Sequence, residues 1–395
     1  MTMRISSKIK LAGLLTLGLL LAIPPAAGAK EKAPAAPSTH AQAAALIDVT
    51  SGRILYSSHG DDELPIASLT KIMTAIVAIE HGQTKENVKV SRNAFGKEGS
   101  SIYLRLGEEM SLENMLYGLM LRSGNDAATA IAEHVGGSEE GFVHLMNEKV
   151  KMLGLEHTQF QNPHGLDAKG HYSSANDLAK LTAYALHNPL FKEIVRTPSR
   201  KAPNPNDPWD YRWDNKNKML RFYEGADGVK TGYTKIARRC LVSSATRNGQ
   251  QVVAVTINDG DDWSDHRKLL DYAFAHYPLK SLVEEGQAVK DGLRAGTSFR
   301  YPLSEEEKDE VELRLILKSG KSDSFGYRGK IAISIGNSEV GSVPVYEVAQ
   351  GTSSPSAKAG FGNPVAMPTG TGAKVVPGGW SDSFEMVLKT MLLAG

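Results

Sequence analysis

Apolar residues recur at helical spacing along much of the chain and alternate with polar residues near its end. The helical spacing predicts helices over residues 68–79, 112–121, 127–135, 139–153, 176–187 and 264–275. Short apolar and β-branched runs predict strands over residues 43–49, 53–57, 228–233, 240–246 and 251–257, with hairpin turns at 50–52 and 247–249. This order of elements predicts an α/β (α+β) domain in which an antiparallel sheet lies beside a helical subdomain, with a site between them.

The pattern changes near residue 277. Beyond it the helical spacing ends, and alternation over residues 311–317 and 330–335 predicts a small all-β domain. A stretch rich in Gly, Ser, Pro and Ala then reads as a linker. We therefore predict a main domain over residues 41–276, a β domain over 277–349, a linker over 350–379 and a terminal helix over 380–395.

The first 29 residues have the composition of a secretory signal peptide. A basic lead containing Arg4, Lys8 and Lys10 precedes an apolar run at residues 11–23 and a small-residue segment at 27–29. The run is short for a transmembrane helix, and the alternative is an uncleaved anchor. Residues 30–40 then form a leader, and we expect the mature protein to be exported to the extracytoplasmic face of the cell membrane.

The last segment predicts an amphipathic helix. Its apolar residues share one face and its charged residues the other, namely Trp380, Phe384, Val387, Leu388 and Met391 against Asp382, Glu385 and Lys389. Behind a flexible linker, such a helix can lie in a membrane interface, and we favour a membrane surface as its partner. The alternative is a helix docked on its own protein.

Composition excludes several function classes. The net charge is +1 with 23% charged residues, so nothing indicates a nucleic-acid partner. The single cysteine, Cys240, excludes an intramolecular disulfide and lies in an apolar stretch typical of a buried thiol. The 11 histidines show no metal-ligand spacing, so we expect neither a catalytic metal nor a cofactor.

The most informative chemical signal is Ser68 followed three residues later by Lys71. On a helix these side chains share one face. A serine needs a base to become a nucleophile, and a lysine among apolar residues can lose its proton near neutral pH. Because Ser-x-x-Lys is common by chance, the pair alone more often represents a capping serine with a surface lysine one turn later.

Two later motifs favour the catalytic interpretation. Ser123-Gly124-Asn125 follows an apolar helical stretch, and Lys230-Thr231-Gly232 opens a predicted strand. The ordered set Ser-x-x-Lys, Ser-x-Asn and Lys-Thr-Gly is typical of penicillin-binding proteins and class A β-lactamases. Taken singly, Asn125 could be part of a helix cap and Lys230 only a strand start.

These motifs and their flanking residues resemble the D-alanyl-D-alanine carboxypeptidases, a family of low-molecular-mass penicillin-binding proteins. The resemblance is carried by residues 67–74, 119–128 and 227–234, with further similarity at 164–167 and 172–179. It covers residues 43–349 and the terminal helix. It implies that residues 41–276 form a penicillin-binding, β-lactamase-like catalytic domain, which cleaves peptidoglycan stem peptides ending in D-Ala-D-Ala and is inactivated by β-lactams.

The resemblance also assigns roles to residues. It makes Ser68 the nucleophile, Lys71 its base and Ser123 the carrier of a proton to the leaving amine. Asn125 would hold the peptide and orient Lys71, and Lys230 would bring positive charge to the substrate. The resemblance further implies that Thr231 and Thr234 contact the terminal carboxylate of the substrate. It also implies an oxyanion hole formed by the N–H groups of Ser68 and Tyr233, beside Gly232. His164 and Asp177 are expected to support the site without reacting.

Some questions stay open at this level. Related enzymes place an arginine near the substrate carboxylate, and the candidates here are Lys216, Lys218, Arg221, Arg238 and Arg239. The acidic segment 258–265 weakly resembles carboxypeptidases of endospore formers, which makes the spore wall a candidate substrate. The alternatives to a carboxypeptidase are a serine β-lactamase and a non-catalytic peptidoglycan-binding protein. A lactamase of class A would need a glutamate near residues 162–167, and none is present there.

Overall fold

The main sheet has five antiparallel strands and places one edge strand beside the predicted site. A computed structural model describes residues 35–290, 292–318 and 326–347. The strands are β1 (Ala41–Asp48), β2 (Ile54–Ser58), β7 (Ala226–Thr234), β8 (Arg238–Arg247) and β9 (Gln250–Asp259), in the order β2-β1-β9-β8-β7. The antiparallel sheet predicted from sequence is confirmed. Because β7 is an edge, one side of its backbone is available to a ligand.

Helices cover both faces of this sheet. They are α1 (Lys71–His81), α2 (Leu112–Tyr117), α3 (Asn125–Gly136), α4 (Glu139–Met152), α5 (Ala175–Leu186), α6 (Pro189–Arg196), α7 (Met219–Phe222) and α8 (Asp262–His276). Alternate residues of β1 enter two cores: Ala45 and Ile47 pack with α1 to α6, and Leu46 packs with Leu269 and Leu270 of α8. This alternation follows from the two-residue repeat of a strand.

Two helices differ from the sequence prediction, one at its start and one at its end. The helix expected from residue 68 begins with a 3₁₀ turn at Ala67–Thr70, and regular α1 starts at Lys71. The helix expected over 112–121 is α-helical only to Tyr117 and continues as a π-helical turn, Gly118–Arg122. Both irregular turns immediately precede or contain residues of the predicted site, where π-helical turns are frequently found.

In the main domain, four short strands and two helices were not predicted. The strands are β3 (Asn87–Lys89), β4 (Glu109–Ser111), β5 (Ser199–Ala202) and β6 (Tyr211–Asp214), which form the pairs β3–β4 and β5–β6. Strands of three or four residues are too short for alternation to be visible. The missed helices are α6, which begins with Pro189 and is capped by Asn188, and α7, which has only four residues.

The described chain divides into two compact units. One contains the described residues up to Lys280 together with residues 301–305, and the other contains residues 281–300 and the described residues from 306 onward. The second unit is rich in β structure. It contains a sheet ordered β11-β12-β16-β15-β14, formed by β11 (Ala288–Lys290), β12 (Leu293–Ala295), β14 (Val311–Leu317), β15 (Tyr327–Ile335) and β16 (Ser338–Glu347). Strands β10 (Leu279–Val283) and β13 (Phe299–Pro302) pair with each other, and each has residues in both units. Val283, Ile333 and Val345 lie in the core of the second unit.

Several sequence predictions concern the two ends of the chain, which lie outside the described residues. The predicted signal peptide, most of the leader, the linker and the amphipathic helix over 380–395 lie outside the described residues. Within the described ranges, no helix has both the length and the apolar character needed to cross a membrane.

Candidate active site

Ser68 and Lys71 meet at the start of the first helix. Lys71 Nζ lies 3.1 Å from Ser68 Oγ. Ser68 is half-buried on the 3₁₀ turn, and Lys71 is the first residue of α1. The three-residue spacing therefore brings the hydroxyl and the amine into hydrogen-bond distance, as predicted.

The residue before Ser68 has an unusual backbone conformation that its neighbours support. Ala67 has φ +48°, a value that costs a non-glycine residue about 1–3 kcal/mol. Its carbonyl accepts a hydrogen bond from Thr70 Oγ1 at 2.9 Å, and Thr70 Oγ1 lies 2.8 Å from His171 Nε2. Since the N–H of Gln161 donates to His171 Nδ1, the His171 proton is assigned to Nε2. Burial lowers the pKa of His171 to about 4, so at neutral pH the ring is neutral. No local pattern in the sequence signals this chain of contacts.

Lys71 is fully buried and surrounded by acceptors. Besides Ser68, its Nζ donates to Asn125 Oδ1 at 2.7 Å and to the carbonyl of His164 at 2.5 Å. Burial, with a further contribution from the positive charge of Lys216, lowers the pKa of Lys71 to about 7. At neutral pH a large fraction of the amine is therefore unprotonated and can accept a proton from a hydroxyl group.

Ser123 presents a buried hydroxyl group that the protein itself does not use. It follows the π-helical turn, has φ +67° and is 4% exposed. Among the described residues, no group hydrogen-bonds to its Oγ. Native proteins rarely leave such atoms unpaired, and the exceptions call for an explanation such as a catalytic role.

Asn125 is fixed on two sides. It begins α3, and its Nδ2 donates to the carbonyl of Glu98 at 2.6 Å while its backbone N–H donates to the carbonyl of Ser100 at 2.7 Å. Because Oδ1 then has a defined direction, it can orient the amine of Lys71. The structure thus joins Ser68, Lys71 and Asn125 by direct contacts.

The next residue, Asp126, organises a loop over the site. Its carboxylate accepts hydrogen bonds from Ser101 Oγ at 2.6 Å and from the N–H groups of Ile102 and Leu104 at 3.1 Å each. Asp126 is 1% exposed. Asp126 therefore holds a loop from another part of the chain, a role that the sequence pattern did not reveal.

Lys230 enters from the edge strand β7. It is 1% exposed, and its Nζ donates to the carbonyl of Thr231 at 2.7 Å. Burial first, and then the positive charges of Lys71 and Lys216, hold the pKa of Lys230 well below its usual value. Three lysines therefore act on one another electrostatically, which indicates a site suited to receive an anion.

Gly232 brings β7 close to Ser68. A Cβ atom placed on Gly232 would lie 3.2 Å from the Ser68 backbone nitrogen and 3.3 Å from the carbonyl oxygen of Ile66. The absence of a side chain thus lets the strand pass close to the Ser68 N–H. Two residues further along β7, Thr234 Oγ1 donates to Asp167 Oδ1 at 2.9 Å. Thr231, between Lys230 and Gly232, is half-buried. The side chain of Tyr233 points away into solvent, with 61% exposed, so only its backbone is a candidate for the site.

The loop over residues 162–167 contacts both Lys71 and the backbone before Ser68. Gly165 has φ +82°, and a Cβ there would lie 2.0 Å from the carbonyl oxygen of Ala67. His164 contributes its carbonyl to Lys71, while its Nε2 lies 3.4 Å from Glu139 Oε1. Hydrogen bonding from His164, together with Lys97, lowers the pKa of Glu139 to about 2, and burial lowers the pKa of His164 itself.

Asp177, expected near the site, instead supports a turn. Its Oδ2 accepts from the N–H of His157 and from Thr158 Oγ1, at 2.8 Å each. Thr158 Oγ1 also lies 2.8 Å from Ser173 Oγ. None of the predicted catalytic side chains takes part in these contacts.

Of the five candidate cations, Lys216 is the one whose charge lowers the pKa of both Lys71 and Lys230. Its Nζ donates to Ser100 Oγ at 3.3 Å. Arg239 instead pairs with Asp262, with Nε 3.1 Å from Oδ2. The position of Lys216 in the fold, which sequence spacing does not reveal, therefore favours this residue among the five candidate cations.

One group of side chains in the described part of the chain could hold a metal ion. It consists of His40, Asp261 and Asp265, near the end of β9 and the start of α8, and includes none of the predicted catalytic residues. Both oxygens of Asp265 already accept hydrogen bonds, from His40 and Lys268.

Comparison with known families identifies a match over the domain that carries these residues. A family model described as D-alanyl-D-alanine carboxypeptidase matches residues 30–261. Among curated proteins, the chain is 38% identical over 291 residues to the D-alanyl-D-alanine carboxypeptidase DacF of Bacillus subtilis, covering 71% of this chain and 75% of that protein. It is 35% identical over 268 residues to DacC of Escherichia coli, covering 64% and 66%.

Solved structures show the same similarity. Penicillin-binding protein 5 of Haemophilus influenzae matches with a TM-score of 0.66 at 27% identity, over 79% of this chain and 98% of that one. A mutant form of the Streptomyces K15 DD-transpeptidase matches with a TM-score of 0.58 at 30% identity, over 61% and 100%. The expected fold class and the family resemblance are both confirmed.

Proposed function

Since the chain belongs to the D-alanyl-D-alanine carboxypeptidase family, and is therefore a serine peptidase of the hydrolase class, we propose that Ser68 is its nucleophile and Lys71 its general base. The observation that carries this assignment is the distance of 3.1 Å between Ser68 Oγ and a fully buried amine whose pKa lies at about 7. A base with a pKa near the working pH is the most effective proton acceptor.

The first step forms an ester. Lys71 Nζ takes the proton of Ser68 Oγ, and the oxygen attacks the carbonyl carbon between the last two D-alanines of a peptidoglycan stem peptide. The N–H groups of Ser68 and Tyr233 stabilise the oxyanion that develops. This role suits the close approach of β7 to Ser68 at Gly232.

The second part of the reaction releases D-alanine and restores the enzyme. The unpaired hydroxyl of Ser123 passes a proton from Lys71 to the leaving nitrogen, the C–N bond breaks, and free D-alanine departs. Water then attacks the ester, and Ser68 recovers its proton. A β-lactam acylates Ser68 in the analogous way when its ring C–N bond breaks, but the leaving nitrogen stays attached to the acyl group.

Substrate binding involves the edge of β7. An extended peptide can add to such an edge as a further strand. We assign the terminal carboxylate to the cationic end of the strand, near Lys230, Thr231 and Lys216. Burial, followed by repulsion from neighbouring cations, lowers the pKa of both lysines, and an anion there would relieve that repulsion. Asn125, bonded to Lys71, would hold the backbone of the substrate on the other side.

The rival functions predict different outcomes with penicillin. Residues 162–167 contain no glutamate to activate water, so fast β-lactamase turnover is not expected. A scaffold protein would form no adduct. A covalent adduct that persists is the result expected of the carboxypeptidase.

The test compares Ser68→Ala with Ser138→Ala, using the mass of the intact protein after penicillin treatment and D-alanine release from a peptide ending in D-Ala-D-Ala. Ser68→Ala should remain folded, gain no mass and lose activity on the order of a millionfold, as seen for nucleophile loss in a serine protease. Ser138 caps α4, so its replacement should cost about 1 kcal/mol of stability and leave both readouts intact. An adduct on folded Ser68→Ala would disprove the assignment.

We also propose where the enzyme works. The signal-like composition of residues 1–29 supports export, and the amphipathic pattern of residues 380–393 supports attachment to the outer surface of the cytoplasmic membrane. A substrate in the cell wall is consistent with that location.

A further inference from the structure

Two loops hold the groups that accept hydrogen bonds from the Lys71 amine, and one carboxylate joins these loops. Lys71 Nζ donates to the His164 carbonyl at 2.5 Å and to Asn125 Oδ1 at 2.7 Å. We propose that Glu139 is a positioning residue for this base, because its carboxylate ties the loop that carries His164 to the loop that fixes Asn125. The proposal rests on the function proposed above, in which Lys71 takes the proton of the nucleophile.

On the first loop, over residues 162–167, the contact is made by the His164 ring. Since the N–H of Leu166 donates to His164 Nδ1 at 3.2 Å, the ring proton is assigned to Nε2. Nε2 lies 3.4 Å from Glu139 Oε1, and the side chain of His164 is only 6% exposed. The ring and the carbonyl belong to the same residue, so a ring held by Glu139 also limits the positions open to the carbonyl that contacts Lys71.

The second loop, over residues 93–100, reaches the other oxygen of Glu139. Lys97 Nζ lies 3.1 Å from Glu139 Oε2, and Asn93 Nδ2 donates to the same oxygen at 3.3 Å. The residue after Lys97 is Glu98, whose carbonyl accepts a hydrogen bond from Asn125 Nδ2 at 2.6 Å. Each oxygen of Glu139 therefore serves one loop, and each loop fixes one acceptor of the base.

The bridge is partly buried and stays charged at neutral pH. The side chains of Glu139 and Lys97 are 18% and 20% exposed, so salt screens this pair less than a pair on the surface. Hydrogen bonding from His164, followed by that from Lys97, lowers the pKa of Glu139 to about 2. The carboxylate is therefore ionised throughout the pH range in which Lys71 titrates, near pH 7.

A simpler role for Glu139 would be to stabilise α4. It lies in the first turn of that helix, where a negative charge is favourable. Glu140 lies in the same turn and is exposed, so both residues share this effect. The contacts to His164 and Lys97, in contrast, belong to Glu139. Glu140 is thus a matched control for a role that goes beyond the helix.

The experiment measures the pH profile of the second-order rate of penicillin acylation, together with the melting temperature. In Glu139→Ala the plateau rate at high pH should fall about ten- to a hundredfold, because a misplacement of about 1 Å in an active site can cost that much. The variant should fold, since Thr74 Oγ1 still donates to the Pro163 carbonyl at 2.6 Å and keeps the first loop attached to α1. Glu139→Gln, which retains an oxygen for His164 and loses the charge, should keep a plateau within about threefold of the wild type.

The acid limb of the profile is a readout that a merely stabilising residue would not move. Acceptors around Nζ favour the ammonium form of Lys71, so displacement of the His164 carbonyl lowers the pKa of this amine. We therefore expect the acid limb of Glu139→Ala to move to lower pH by about half a pH unit, the size expected when one partly exposed interaction is lost. The substitution leaves in place the other charged groups that act on the amine, namely Lys216, Lys230 and Asp126.

A second variant breaks the bridge from its other end. Lys97→Met leaves α4 unchanged and should also lower the plateau rate, whereas Glu140→Ala should keep the wild-type plateau and acid limb. If Glu139→Ala and Lys97→Met both keep the profile of Glu140→Ala, Glu139 only stabilises its helix and the positioning role is overturned. Acylation of the wild type upholds the proposed function in that case, and its absence would overturn both.

Discussion

The positive charge of Lys216 lowers the pKa of Lys71, and among the causes it is second only to burial. Lys216 lies between β6 and α7, far from Lys71 in sequence, and reaches the site through Ser100. The base of the proposed reaction is thus tuned by a residue outside the three sequence motifs.

This relationship predicts the pH dependence of acylation. Lys71 must be neutral to act as a base, so the rate should rise with pH through its pKa of about 7. Lys216→Ala removes a repulsion, which raises the pKa of Lys71 and moves the acid limb to higher pH. Loss of the proposed contact to the substrate carboxylate lowers the rate at every pH, so the rate at pH 6 is compared with the plateau of the same variant at high pH. That ratio should fall about threefold relative to the wild type, the effect of one partly screened charge.

The measurement is the pH profile of the second-order rate of penicillin acylation. Lys218→Ala, two residues away and exposed, serves as the control and should keep the wild-type profile. An acid limb at the same pH in Lys216→Ala would show that Lys216 does not tune the base.

The sequence predicted most of the elements, because their signals are periodic and local. The helices α3, α4 and α5 begin within two residues of their predicted starts, since apolar spacing and caps such as Ser174 define them locally. The irregular turn at Ala67 could not be predicted in this way. Its backbone conformation is held by Thr70 and His171, and His171 approaches only through folding.

In the site, too, the locally encoded residues were the predictable ones. The three motifs identified Ser68, Lys71 and Asn125, which the structure places in direct contact. The choice among the five cations depended on distances through space, which local pattern does not contain. The contacts of Asp126 to the loop before it were missed for the same reason.

Ser123 provides a test in which stability and activity should move in opposite directions. Its buried hydroxyl has no partner among the described residues, so Ser123→Ala removes an unpaired polar atom that costs about 1–3 kcal/mol. The melting temperature should stay the same or rise. If the hydroxyl carries the proton to the leaving amine, kcat should fall by about 10²- to 10⁴-fold.

Thr129 supplies the matched control for Ser123. Its Oγ1 is also buried and unpaired in the described structure, but it lies within α3 and has no proposed role in the reaction. Thr129→Val should raise stability without loss of activity. A Ser123→Ala enzyme with wild-type kcat would reject the proton-carrier role, and thermal denaturation with steady-state kinetics distinguishes these results.

The location of the mature protein is a separate prediction. Amino-terminal sequencing should find a start near Lys30. Deletion of residues 379–395 should release the protein from lipid vesicles and leave hydrolysis of soluble peptides unchanged. Each fully buried apolar side chain contributes roughly 1.5–3 kcal/mol, and burial in an interface is only partial, so attachment should be reversible.

Salt dependence separates apolar from electrostatic attachment. Residues 380–393 carry one Lys against one Asp and one Glu, so flotation with vesicles should change little between low and high salt. Trp380→Asp should weaken flotation about as much as the deletion, because an indole suits the membrane interface. Full-length mature protein that stays soluble at both salt concentrations would contradict membrane attachment.

Gly232 offers a direct test of the approach between β7 and the nucleophile. A methyl group at this position would lie 3.2 Å from the Ser68 nitrogen and 3.3 Å from both Ala67 Cβ and the Ile66 carbonyl oxygen. These contacts are tight but can be relieved by a small shift of the strand, so Gly232→Ala should fold with little change in melting temperature. The same shift displaces the N–H groups proposed to bind the oxyanion, and loss of one such donor costs about 10²- to 10³-fold in kcat. We therefore expect a fall of at least about tenfold in kcat and in the rate of penicillin acylation.

Gly260→Ala is the control, because a Cβ there meets open space, and it should behave as the wild type. A Gly232→Ala enzyme with wild-type kcat would mean that the oxyanion is bound elsewhere than between Ser68 and this strand.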